Sequence, residues 1–295
     1  MSTERAFTDL TFYETYYFAN AIKNVLEDRF AYIRHLHDFY GDGRYLAYAP
    51  PFPRSSAFHN FISFVVDDML DEDTRNIDLQ KRQDTVVQFQ GMESAFLWNE
   101  HPSRLPVNFA LDRFGIQHQD FEAWLKQRSR TFLEADDNDV SEYYGELRLE
   151  GPFDDLLERT TGEVFFVLFQ NRHALLLFNE MMANQMKSGA EDDFVHPDYE
   201  SFFDRPGVLR RVHFPSWVQR AVFFRDRGMC VICHKDLSGT VAIGSQENYD
   251  HIVPLASGGL NDITNIQLLC RECNAAKCAG KATTSTHYEA WYPLH

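Results

Sequence analysis

The sequence predicts an α+β protein, with a mainly α-helical domain over residues 1–207 followed by a small, metal-stabilised domain over residues 208–295. Three observations predict it. Before residue 207, apolar residues recur at helical intervals. All five cysteines fall between Cys230 and Cys278. Charge divides at the same place: residues 1–207 hold 19 Lys and Arg against 37 Asp and Glu, a net of −18, while residues 208–295 hold 9 against 7, a net of +2. The whole-chain charge of −16 argues against a polyanionic partner. The +2 segment does not.

A chain of 295 residues is long enough for two domains that each bury a core. With 26 Phe and 13 Tyr it buries enough apolar surface to offset the entropy of ordering, which excludes an intrinsically disordered chain. The first helical stretch, residues 7–40, is marked by Phe18, Ile22, Val25, Leu26, Phe30 and Ile33. Gly41-Asp42-Gly43 and Pro50-Pro51-Phe52-Pro53 break it into a loop. Phe58, Phe61, Ile62, Val65 and Met69 mark the next helix, with Ser55 or Ser56 as its N-cap. Phe121, Trp124, Leu125 and Arg128 mark another. Residues 153–187 predict one or two helices that are apolar almost all round, as in a helix buried on every side. The acidic stretch Ser188-Gly189-Ala190-Glu191-Asp192-Asp193, then Pro197 and Arg205-Pro206-Gly207, has linker chemistry and sets the boundary at 207. Beyond it, Ser216 and Gln219 have the spacing of a capping box for a short helix.

Several classes are excluded. Residues 164–178 are the most apolar stretch, but Gln170, Asn171, Arg172 and His173 interrupt it. A membrane span needs about 20 apolar residues, so no span is expected, and the clustered cysteines point to a reducing, cytoplasmic setting. Asp67, Asp68, Asp71, Glu72 and Asp73, and later Glu134, Asp136, Asp137 and Asp139, are acidic clusters of the kind normally found as solvated surface. His35 and His37, two apart on a helix, point to different faces and cannot share a metal.

The chemistry is concentrated in the last segment. Cys230-Val231-Ile232-Cys233 and Cys270-Arg271-Glu272-Cys273 are two CxxC pairs. Each is a knuckle that offers two thiolates to one Zn²⁺, and two knuckles complete a closed tetrahedral site. Four protein thiolates leave no open position, so this zinc is structural. Cys278 is a fifth cysteine without a counterpart in the pattern.

Between and after the knuckles run Asp250-His251-Ile252-Val253-Pro254-Leu255, Gly258-Gly259, Asn265-Ile266-Gln267-Leu268-Leu269-Cys270 and Cys273-Asn274-Ala275-Ala276-Lys277. Over residues 210–281 the chain resembles the HNH endonucleases, in their four-cysteine zinc branch with a ββα-metal site. The resemblance implies a small zinc-stabilised ββα-metal (HNH) domain over 208–295 that hydrolyses phosphodiester bonds in DNA. It implies that Asp250 and Asn274 hold a catalytic Mg²⁺ or Mn²⁺, two hard oxygen donors suited to a cation that keeps several waters. It implies that His251 deprotonates the attacking water, and that Asn265 ties the loop to the catalytic strand and so orients His251. Lys277, one turn after Asn274, is placed to meet a phosphate. His213, His234 and His287 match no position of the pattern.

The acidic domain carries no readable chemistry. Its charge suggests a protein partner, or restraint of the nuclease. HNH domains joined to large N-terminal regions resemble effectors of bacterial anti-phage defence, those of type II Zorya systems among them. Two alternatives stand beside this: a restriction-type or DNA-processing nuclease, and an interaction protein with an inert zinc knuckle.

Overall fold

The computed structural model describes residues 9–89, 101–191, 197–239, 249–277, 281–290 and 292. Asp192 and Asp193 of the acidic stretch, and Cys278, lie outside the described residues. In chain order the helices are α1 (Thr15–Glu27), α2 (Ile33–Tyr40), α3 (Ala57–Arg75), α4 (Leu79–Gln88), α5 (Pro106–Arg113), α6 (Phe121–Gln127), α7 (Asp137–Glu150), α8 (Pro152–Leu168), α9 (Arg172–Glu191) and α10 (Pro197–Glu200). Two short strands follow, β1 (Phe203–Arg205) and β2 (Val208–Leu209), then α11 (Ser216–Arg225), β3 (Tyr249–His251), β4 (Ile266–Leu268) and α12 (Arg271–Lys277). At 59% helix and 5% strand, the α+β class predicted from the sequence holds.

Packing divides the chain into two compact units, and not at the charge boundary. One comprises Met1–Phe18 with Ile62–Val164, the other Ala19–Phe61 with Phe165–His295. The first unit is helical around Leu111, Phe121, Trp124, Tyr143 and Phe153. The Trp124 indole donates to Glu146 (2.7 Å), and the Arg128 guanidinium lies 3.7 Å from the Trp124 ring centroid. The acidic cluster at 134–139 is structural in part. Asp136 caps α7 by accepting from the Asn138 and Asp139 amides, and Asp139 is buried and paired with Arg130 at 2.7 Å.

The second unit contains both cysteine pairs. Its core gathers Phe214, Val218, Val222, Tyr249, Ile266, Leu268 and Cys270, and takes in Phe52 from the proline-rich loop. The Phe52 amide donates to the Asn261 carbonyl (2.8 Å), and its ring meets Phe214 edge-on at 5.8 Å. Asp262 is buried and accepts from the Thr264 amide, the Thr264 hydroxyl and the Ala57 amide, 205 residues away. It therefore caps the first turn of α3 and the turn before β4 at once. Phe178, Met182 and Met186 of helix α9 are buried, Phe178 against Phe58 and Phe61, and Asn179 donates to the Thr264 hydroxyl (3.3 Å).

Three local expectations change. The helical stretch at 7–40 is two helices separated by a turn at 28–32, where the Ala31 amide returns to the Asp28 carbonyl. Phe30 and Ile33 are therefore exposed while Phe18, Ile22, Val25 and Leu26 are buried. Helix α11 is capped by extended Pro215, and Gln219 donates to the Phe214 carbonyl (2.8 Å), so Ser216 and Gln219 form no capping box. Arg205-Pro206-Gly207 is no linker: Arg205 ends β1 and Pro206-Gly207 turns the hairpin that pairs β1 with β2, with Gly207 at φ 68°. Ser56 does act as a cap: its hydroxyl accepts from the His59 amide at 3.2 Å. Among the described residues, no helix is long and apolar enough to cross a membrane.

Candidate metal centre and active-site cleft

The four cysteines converge. The Sγ atoms of Cys230, Cys233, Cys270 and Cys273 all lie within 4.8 Å of one another, with Cys233 and Cys270 3.6 Å apart. A tetrahedron with Zn–S bonds of about 2.3 Å has edges of about 3.8 Å, so the cluster fits one zinc ion. The knuckles are held by strand contacts. The Val231 amide donates to the Leu268 carbonyl (3.0 Å), and the Cys273 amide points at Cys270 Sγ (3.4 Å). Burial, then the neighbouring sulfurs, pushes the Cys273 thiol up, and a divalent cation reverses that by favouring the thiolates. Among the described residues no other group of three or more His, Cys, Asp or Glu gathers in this way.

Strands β3 and β4 are antiparallel, pairing Tyr249 with Leu268, Asp250 with Gln267 and His251 with Ile266. A buried carboxylate locks them to the helix before the first knuckle: Asp226 accepts from the Leu268 amide (2.9 Å) and from both Arg225 nitrogens that reach it. Helix α12 follows β4 at once, completing a ββα unit next to the four cysteines.

The loop between the strands is closed by Asn265, fully buried at 0% exposure. Its Oδ1 accepts from the Val253 amide (2.8 Å), while its Nδ2 donates to the carbonyls of Val253 (3.0 Å) and Leu260 (2.9 Å). All of its nearby bonds are to backbone; the side chain that meets His251 is another asparagine. His251 Nε2 lies 3.2 Å from Asn261 Oδ1, and Asn261 Nδ2 donates to the Arg210 carbonyl (2.8 Å). A carbonyl only accepts, so the Asn261 amide nitrogen must face Arg210 and its oxygen must face the imidazole. That assigns the proton of the neutral ring to Nε2 and leaves the lone pair on Nδ1. Burial lowers the His251 pKa to about 4, with Asp250 opposing, so the ring is neutral at neutral pH.

Asp250, His251 and Asn274 line one open cleft of about 870 Å³. The β1–β2 hairpin lines the same cleft, with Arg205, Arg210 and Arg211. Asp250 and Asn274 offer two hard oxygen donors, so a catalytic cation held there would draw the rest of its shell from water and phosphate, as Mg²⁺ or Mn²⁺ does. Lys277 does not stand on the outer face of its helix: its ammonium is buried, donating to Asp250 Oδ2 (2.7 Å) and to the His251 carbonyl. His213, His234 and His287 are exposed and line no part of the cleft.

The family model of HNH endonucleases matches residues 230–280. This is an HNH domain. The match spans the first knuckle, β3, β4, the second knuckle and α12, and leaves the rest of the chain outside it. No curated protein and no solved structure matches the chain. The HNH match implies DNA as substrate and a divalent metal in use.

Sequence reasoning found the cysteines, Asp250, His251, Asn265 and Asn274, because they sit at fixed short spacings. It missed Asn261 and the hairpin arginines. The only signal for Asn261 is its place between Gly259 and Asp262 in the same loop; Arg210-Arg211 is a visible basic pair whose aim depends on the fold.

Proposed function

We propose that the protein is a metal-dependent DNA endonuclease whose catalytic groups are His251, Asp250 and Asn274, with Asn265 as the clip that holds their loop and Cys230, Cys233, Cys270 and Cys273 as a structural zinc site. The observation that carries this reading is the convergence of Asp250, His251 and Asn274 on one cleft, with the imidazole held as its Nε2–H tautomer. In it, His251 Nδ1 takes the proton of the attacking water. Asp250 and Asn274 would hold Mg²⁺ or Mn²⁺, which would supply stabilisation for charge on the departing oxygen. Lys277 neutralises Asp250 and fixes its orientation, and a phosphate role for its ammonium requires it to leave that carboxylate.

The biological setting we propose is bacterial anti-phage defence, as in the HNH effectors of Zorya-type systems, with the chain working in the cytoplasm. The acidic residues 1–207 dock a protein partner or restrain cutting. The charge difference of −18 against +2 supports that assignment, since screening over about 8–10 Å lets a neutral to basic cleft bind DNA beside an acidic surface.

The test is nicking of supercoiled plasmid by the full-length protein with Mg²⁺, Mn²⁺ or neither. His251→Ala is expected to lower the rate about 10²–10⁴-fold. A protein that never cuts under any divalent cation, while retaining zinc, would favour the inert zinc-knuckle reading.

A further inference from the structure

One part of the cleft lining lies outside the HNH match. It is the hairpin of β1 and β2, residues 203–211, turned by Pro206-Gly207. Arg205, Arg210 and Arg211 are exposed and line the cleft. Among the described residues, none of the three guanidinium groups has a carboxylate at ion-pair distance. Asp250, in the same lining, is already paired with Lys277, so the charged lining reduces to three arginines against Asp204. On a chain of net charge −16 this is a local positive surface in the cleft that holds Asp250, His251 and Asn274.

The hairpin is also fixed relative to the catalytic strand. The Arg210 amide donates to the Phe202 carbonyl (2.8 Å) and its Nε to the Phe203 carbonyl (2.7 Å), which squares the strand ends. The Arg210 carbonyl accepts from Asn261, whose other end holds the His251 ring. One amide therefore sets the hairpin and the imidazole together. A wall tied by hydrogen bonds to the side chain beside it positions a ligand at low entropic cost.

We propose that the β1–β2 hairpin is a phosphate clamp, in which Arg205, Arg210 and Arg211 grip the DNA backbone flanking the scissile phosphate. The proposal rests on the nuclease reading above. Guanidinium groups suit it because they pair with phosphate oxygens through parallel N–H bonds and stay charged at any relevant pH.

The experiment measures binding of a fluorescein-labelled 20-base-pair duplex to full-length protein by anisotropy, across a salt series without added divalent cation, alongside plasmid nicking. Arg205→Ala and Arg211→Ala are chosen because neither side chain bonds the hairpin itself. Each is expected to reduce the slope of log K against log salt by about 0.9, with KM for nicking raised and kcat at saturating DNA retained. Arg205→Lys and Arg211→Lys keep the charge and are expected to keep the slope, which a packing role would not do. Zinc content reports folding. If wild type nicks DNA and the alanine variants bind with an unchanged slope, the clamp is wrong and the nuclease reading survives. If wild type neither binds nor nicks, the nuclease reading falls and the clamp with it.

Discussion

Asn265 offers the sharpest test of how the site is built. It makes three bonds at 2.8, 3.0 and 2.9 Å, all to backbone groups of Val253 and Leu260, which are 3% and 0% exposed. Asn265→Ala strands one amide and two carbonyls. At about 1–3 kcal/mol for each unsatisfied buried group, and with some relaxation of the loop, the loss is roughly 3–5 kcal/mol. Asn265→Asp is nearly isosteric, yet it is expected to be at least as damaging at neutral pH. It keeps the acceptor for Val253 but places a carboxylate against two carbonyl oxygens. Its deficit should shrink as pH falls, because protonation restores one donor. The assay is urea unfolding of full-length protein followed by release of zinc to a chelating dye, which reports the unit holding the cysteines. An alanine variant weakened by less than about 1 kcal/mol, or an aspartate variant milder than alanine, would refute this account of the loop.

Other outcomes follow from the same geometry. A Cβ on Gly259 would lie 2.0 Å from the Val253 carbonyl oxygen and 2.9 Å from Asn265 Nδ2, so Gly259→Ala should destabilise the zinc-bearing unit by at least about 2 kcal/mol in the same assay. Cys270→Ser removes one of four sulfurs and should leave the purified protein with well under one zinc per chain by metal analysis; full zinc occupancy would contradict the four-sulfur site. His59 is stacked on Phe165 at 3.5 Å, and burial lowers its pKa to about 4. Its folded pKa lies below the unfolded value of about 6.5, so the unfolded chain binds more protons between those values and stability falls as pH drops through that window. His59 Nδ1 accepts from the Ser56 amide at 3.1 Å; His59→Gln keeps an acceptor for it and removes the titration, and should flatten stability against pH by about 1 kcal/mol per pH unit between pH 5 and 6.5. An unchanged slope would show that His59 protonates freely in the folded state.

The legible part of this protein was the part written in short spacings. Two CxxC pairs and the Asp250-His251 step state their chemistry because ligand and strand geometry depend on neighbours a few residues away. The core that supports them was not legible. Phe52 reads as part of a proline loop, and only the fold shows it against Phe214. Asp262 reads as one acidic residue among many, and only the fold shows it capping Ala57. Phe30 has helical spacing, but spacing alone cannot report that the chain turns at Asp28. The hairpin arginines carried a weak signal, since Pro-Gly marks a turn as readily as a linker, and the difference lies in what the flanking residues pair with.

The bond between Asp262 and the Ala57 amide has a consequence for the order in which the molecule comes into being. During synthesis at about 5–20 residues per second, the segment containing Ala57 waits roughly 10–40 s for its cap to be made. Closing a loop of that length costs about 5 kcal/mol before any contact repays it. The cleft therefore forms late, after its last strand and helix have left the ribosome. A nascent or truncated chain holds Phe52 and the start of α3 but not β3, β4 or α12. Such a chain lacks Asp250, His251 and Asn274 and so has no assembled cleft.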